Sequence, residues 1–170
     1  MLKNLAIFLL TSMILYSCKE ETSYQMQLVI ENKTENKISI ELFPKNEYLH
    51  NDLYKFSDFG GGYSETILEL EVDSEKEIFI SNNLNSKPSI RAIEVFDSIH
   101  ISAFDENRFG IKFSHAKVQG YVENLFNEDS FWKLVIRKFD LPTSFRRNPV
   151  ESSDYIFEIS EDKIIPDMPE

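Results

Sequence analysis

Cysteine is almost absent from this chain: Cys18 is the one thiol among 170 residues. A lone sulfur closes no internal disulfide, and it rules out the multi-thiolate zinc sites and CxxC redox motifs that need several. Histidine is nearly as scarce, with only His50, His100 and His115. No two of them have the spacing that a helical HExxH zinc pair requires. Glycine numbers five, three of them consecutive at Gly60-Gly61-Gly62, with no lysine and hydroxyl following as a phosphate-cradling loop demands. Positive charge is in deficit as well: 18 basic residues stand against 29 acidic ones, a formal charge of −11. Such a surface repels phosphate backbones and anionic head groups within a Debye length, so nucleic acid is not an expected partner.

The one extended apolar run, Leu5 to Tyr16, is broken only by Thr11 and Ser12 and follows a positive start at Lys3. As a helix it would reach about 18 Å, short of the ~30 Å hydrocarbon core, and Lys19-Glu20-Glu21 follows it closely. A short apolar run with a positive start and a small residue before the cut is the pattern of a secretory signal. Leu15-Tyr16-Ser17-Cys18 resembles the bacterial lipobox, with an aliphatic residue three places before the cysteine and a small one next to it. The resemblance implies that a lipoprotein signal peptidase recognises Leu15 and Ser17 and cuts before Cys18. The Cys18 sulfur then carries a diacylglycerol thioether, and the new amine is acylated. Each buried methylene is worth about 0.8 kcal/mol, so two or three chains hold durably where one does not. Lys19-Glu20-Glu21 is similar to the export signal that sends some lipoproteins to the outer face of the outer membrane, and no aspartate follows Cys18. An ordinary secreted protein and an uncleaved membrane anchor are the alternatives.

Cleavage would leave 153 residues carrying 17 basic and 29 acidic side chains, a formal charge of −12. That length suits one domain burying roughly 70% of its unfolded surface. The expected organisation is a signal at 1–17, a polar tether at 18–23, a single domain at 24–165 and a tail at 166–170. Alternation of apolar and polar residues dominates this domain. Tyr24, Met26, Leu28 and Ile30 are followed across "ENKTEN" by Ile38, Ile40 and Leu42, which predicts an antiparallel hairpin. Leu68, Leu70 and Val72 before Ile78 and Ile80 predict a second; Ile99, Ile101 and Ala103 before Ile111 and Phe113 predict a third. Tyr155, Phe157 and Ile159 mark a last strand. The expected fold is an all-β, antiparallel sandwich, immunoglobulin-like or similar. Within it, Phe131, Trp132, Val135, Ile136 and Phe139 share a helical stripe that Asn127 or Asp129 could cap, so a short helix is expected near 128–139. Pro44 to Ser64 reads as a short helix around Tyr48 to Phe56 or as a packed loop.

Catalytic patterns fail on inspection. Gly62-Tyr63-Ser64-Glu65-Thr66 lacks the closing glycine of a nucleophile elbow. The segment from Asp105 begins like a calcium loop but offers Phe109 and Ala116 where oxygen ligands belong. Glu128 with Asp129, or Asp97 with Asp105, are the carboxylate pairs that a small envelope hydrolase could use, and pairs of this kind arise by chance among 29 acids. No cofactor and no metal is implied, and the chain is not expected to be an enzyme. Tyr48, Tyr54, Phe59 and Tyr63, interleaved with Asn46, His50, Asn51, Asp52 and Asp58, have the composition of a glycan-stacking or adhesion loop. The same rings would serve equally as a plug for one end of the sandwich. Arg137, Lys138, Arg146 and Arg147 form the one basic cluster and would offset nearby acids or meet an anionic partner. The expectation is a lipid-anchored protein of the bacterial cell envelope, in the outer membrane and facing the surface or the periplasm, with a binding or scaffolding role. The alternative is a surface glycan-binding or adhesion module, and a glycan or an envelope protein is the partner considered.

Overall fold

Alternating residues bury one face of a strand, and two such faces laid together make a core without any helix. A computed structural model describes residues 22–49, 54–56, 66–84, 86, 90–104, 109–126, 132–142 and 147–165. It forms two sheets of five strands each, an all-β sandwich. Sheet I has the order β3 (Tyr54–Phe56), β5 (Glu75–Leu84), β1 (Ser23–Lys33), β10 (Arg147–Ser160), β9 (Lys133–Pro142). Sheet II has the order β4 (Thr66–Leu70), β2 (Ile38–Pro44), β6 (Phe96–Ala103), β7 (Gly110–Ser114), β8 (Val118–Gln119). Two four-residue helices, α1 (Asn46–Leu49) and α2 (Ala92–Val95), sit at strand ends.

The inner faces are those that the alternation marks. Met26, Leu28 and Ile30 of β1 and Ile38, Ile40 and Leu42 of β2 are all at most 2% exposed. A register shift after Leu28 sets Phe79 opposite Leu28 and Glu77 opposite Val29, which leaves Ile78 as the extra residue of a bulge. The bulge lets two successive side chains, Ile78 and Phe79, both enter the core. Phe157 of β10 is the ring about which Phe113, Tyr121 and Trp132 gather, with centroids 5.4–6.1 Å away. Phe79 plays that part at the other flank, against Tyr48, Tyr54 and Phe56.

The third hairpin forms as expected, with β6 and β7 paired antiparallel from Ser98↔Ser114 to Ser102↔Gly110. The first two do not. β1 and β2 lie in different sheets, and so do β4 and β5. Alternation identifies a buried face, but a turn back into the same sheet and an arch over to the opposite one bury that face equally well. The arches are selected by Asn32, which is fully buried. Its Nδ2 donates to the carbonyls of Asn36 at 2.8 Å, Glu71 at 3.1 Å and Leu70 at 3.3 Å. Its Oδ1 accepts from the Thr34 N–H at 3.0 Å and the Thr34 hydroxyl at 2.9 Å. Its backbone N–H reaches Ser74 O, and its carbonyl accepts from Asp73 N–H. One amide thus ties the β1–β2 arch to the β4–β5 arch.

The expected helix near 128–139 is also corrected. From Lys133 onward the chain is strand β9, paired antiparallel with β10 over ten residues, while Asn127 and Asp129 lie outside the described residues. The apolar residues satisfy a period of 3.6 by coincidence; a ten-rung ladder to a long strand outweighs that local preference. Of the described strand pairs, β1–β10 alone is parallel, running from Ser23↔Val150 to Lys33↔Ser160. No sequence pattern signals it, because the partners are more than a hundred residues apart.

Two outcomes follow. Asn32→Ala should lower stability by about 1–3 kcal/mol through its orphaned carbonyls, read as a reduced urea midpoint at unchanged slope. Tyr121 is 1% exposed; its hydroxyl donates to Glu158 O at 3.0 Å and accepts from Ser160 N–H at 3.1 Å. Burial pushes its pKa above the ordinary 10.0, against a smaller pull from Ser160. The unfolded chain therefore releases this proton first, and stability should fall as pH rises beyond about 10. Tyr121→Phe should reduce that alkaline slope, leaving the part due to Tyr48, and cost about 1–2 kcal/mol at neutral pH; unfolding curves at pH 7 and above 10 check both.

Candidate functional site

Because β1 and β10 run parallel, the first described residue, Thr22, emerges beside the start of β10 and the end of β9. A shallow cleft of about 290 Å³ lies there, lined by Thr22, Lys138, Phe139, Asp140, Pro149, Val150 and Glu151. Lys138 Nζ stands 3.4 Å from Glu151 Oε2, and Phe139 is 41% exposed. Three residues along β10 from Glu151, Asp154 is 1% exposed on the outer side of sheet I, where Ser152 Oγ donates to Oδ1 at 2.5 Å and Arg137 Nε to Oδ2 at 2.8 Å. Arg137 also reaches the exposed Glu75 at 3.4 Å. The basic residues of β9 thus meet the acids of their neighbours. Arg146 lies outside the described residues, and Arg147 is placed at the first rung of the hairpin opposite Pro142.

Cys18, Leu15 and Ser17 lie outside the described residues. So do Phe59 and Tyr63 of the aromatic stretch, together with His50 and the glycine triplet. Tyr48 and Tyr54 are described, and both are half-buried. Tyr48 sits on α1 and Tyr54 opens β3; their rings lie 5.0 Å apart, and Tyr54 stacks on Phe79 at 5.6 Å and 29°. Phe56 continues the cluster across the core to Phe96 at 5.7 Å. These rings close the flank of the sandwich over Phe79, the packing alternative raised by the sequence. Burial and the Glu94 carboxylate hold the Tyr48 hydroxyl above its usual pKa.

The outer face of sheet II carries a second depression, about 500 Å³, lined by residues that include Ser39, Glu41, Ile67, His100, Ser102 and Lys112. Adjacent rungs place Glu41, His100, Lys112 and Gln119 in one row across four strands. Glu41 Oε2 lies 3.2 Å from His100 Nδ1, and the imidazole leans on Phe43 with centroids 4.6 Å apart. An imidazole oriented by a carboxylate is the base half of a nucleophile-activating site. Its other nitrogen, Nε2, has no hydrogen-bond partner, so no hydroxyl is engaged. His100 falls on the outward parity expected of it, half-buried; His115 is exposed. The sequence reading missed Glu41 as its partner, since only the β2–β6 register brings residues 59 apart together.

Among the described residues no group of three or more His, Cys, Asp or Glu is placed to hold a metal, and no helix is long and apolar enough to cross a membrane. Asp97 is exposed, whereas Asp105, Glu128 and Asp129 lie outside the described residues. No protein-family model matches the chain, and neither a curated protein nor a solved structure matches it.

If Tyr54 serves as a packing ring, Tyr54→Ala should lower stability by about 1–3 kcal/mol while Tyr54→Phe changes it little. A thermal midpoint that is unmoved by the alanine would assign the ring to solvent instead.

Proposed function

We propose that the chain is a lipoprotein of the bacterial cell envelope, anchored by acylated Cys18, that acts by binding or scaffolding rather than by catalysis. The observation that carries this reading is the lipobox Leu15-Tyr16-Ser17-Cys18, with its cysteine five residues ahead of strand β1. A short polar tether between an acylation site and a folded strand lets the domain pack beside a bilayer without entering it. Two features support the non-catalytic part: the failed elbow and calcium patterns, and the outer-face imidazole without an engaged hydroxyl. The polar Lys19-Glu20-Glu21 after the cysteine supports placement at the outer face of the outer membrane.

The anchor is tested by mass spectrometry of the purified protein. The expected species begins at Cys18 and carries a diacylglycerol and an amide-linked acyl chain; an intact Met1 or an unmodified thiol refutes it. Cys18→Ser should move the protein from the membrane fraction to the soluble one. Proteinase added to intact cells should degrade the wild-type domain if it faces outward and spare it if it faces the periplasm.

A further inference from the structure

The parallel β1–β10 pair has a geometric consequence for a lipid-anchored domain. β10 begins at the same end as β1, so the β9–β10 hairpin points back along the path by which the chain enters. Val150 is level with Ser23, and the ladder continues three residues further to Arg147↔Pro142. At about 3.3 Å per residue the hairpin overhangs the start of β1 by roughly 10 Å. The last residue of the tether that the structure describes, Thr22, lines the same cleft as Lys138, Phe139 and Pro149.

We infer that this hairpin end is the membrane-apposed surface of the protein, with Phe139 at the level of the lipid head groups and the opposite end of the sandwich turned away from the bilayer. The inference rests on the acylation of Cys18 proposed above. Reach decides the first half. Cys18 stands four residues before Thr22, and four residues in any conformation span at most about 14 Å. The acylated sulfur therefore stays within that distance of the Phe139 cleft. The other end lies beyond it: β1 is eleven residues long, about 36 Å at strand rise.

Side-chain chemistry decides the second half. The cleaved chain, of formal charge −12, is repelled by anionic head groups as a whole. Cations at both ends are paired: Lys138 with Glu151 beside the tether, Lys33 with Asp73 and Lys37 with Glu71 at the far end. Standing on the hairpin keeps the exposed Glu161 and Asp162 of the far end away from the lipid. Phe139, 41% exposed, supplies an apolar ring that gains by burial at the boundary between head groups and acyl chains.

The test uses the acylated protein in vesicles of phosphatidylethanolamine and phosphatidylglycerol, some of whose lipids carry a nitroxide near the head group. Cys18 is consumed by its lipid, so Phe139→Cys or Phe104→Cys supplies the sole thiol for a fluorescent maleimide. Phe104, 47% exposed, follows β6 at the far end, where its N–H reaches Lys37 O. The probe at 139 should be quenched several-fold more by nitroxide lipid than the probe at 104, and the probe at 104 several-fold more by aqueous iodide. Lys138→Cys should repeat the result for 139, which guards against a folding defect in one variant. Equal quenching at the two ends, as in a domain lying flat, or the reverse order overturns the inference while leaving the anchor intact. Protein that fails to float with the vesicles and lacks the diacylglycerol mass overturns the anchor, and this inference with it.

Discussion

Strand β1 is held on both edges, parallel to β10 over eleven rungs and antiparallel to β5, and the remainder of the sandwich depends on that double pairing. Its inner side chains, Met26, Leu28 and Ile30, are buried in the core. Its partner β10 comes from the other end of the sequence. Sheet I therefore cannot close until the last strand is available, and the entropy of closing so long a loop must be met before the core rewards it.

The arches at the far end have a different origin. A chain that crosses between sheets leaves backbone groups pointing away from either ladder, and buried groups of that kind must find partners. Asn32 supplies them for two crossings at once, through both its side chain and its backbone. Asp73, with φ of 54°, adopts the left-handed conformation that the tight β4–β5 turn requires and donates back to Asn32. Opposite, at the tether end, Lys45 reaches Ile93 and Val95, which fixes α2 against the end of β2. The polar groups thus sit where the topology changes sheet, and the apolar ones sit between the sheets.

Function enters at the surfaces that this topology leaves open. The parallel pair sets the start of β1 beside the β9–β10 hairpin, so under the proposed anchoring at Cys18 the polarity of the domain relative to a bilayer follows from one strand direction. The outer face of sheet II, with Glu41 and His100 in the middle of its row, stands free of that end along most of its length. The lipid anchor proposed for Cys18, joined to this acid-rich body, would present such a face to a partner at a set distance from a membrane.

The sequence by itself determined the class of structure, because alternation of Met26, Leu28 and Ile30 or of Ile38, Ile40 and Leu42 declares a buried strand face whatever lies opposite. It also carried the Ile99–Phe113 hairpin, whose connection is short, and it holds the local Leu15-Tyr16-Ser17-Cys18 pattern on which the proposed anchor rests. Tertiary structure decided what alternation leaves degenerate: which strands share a sheet, that Lys133 to Pro142 extends along β10 instead of coiling, and that Tyr48 and Tyr54 fold onto Phe79. The pairings of Glu41 with His100 and Arg137 with Asp154 were equally illegible. Each depends on a register between distant segments, and register is set by the packing of the whole core, which no local window of residues contains.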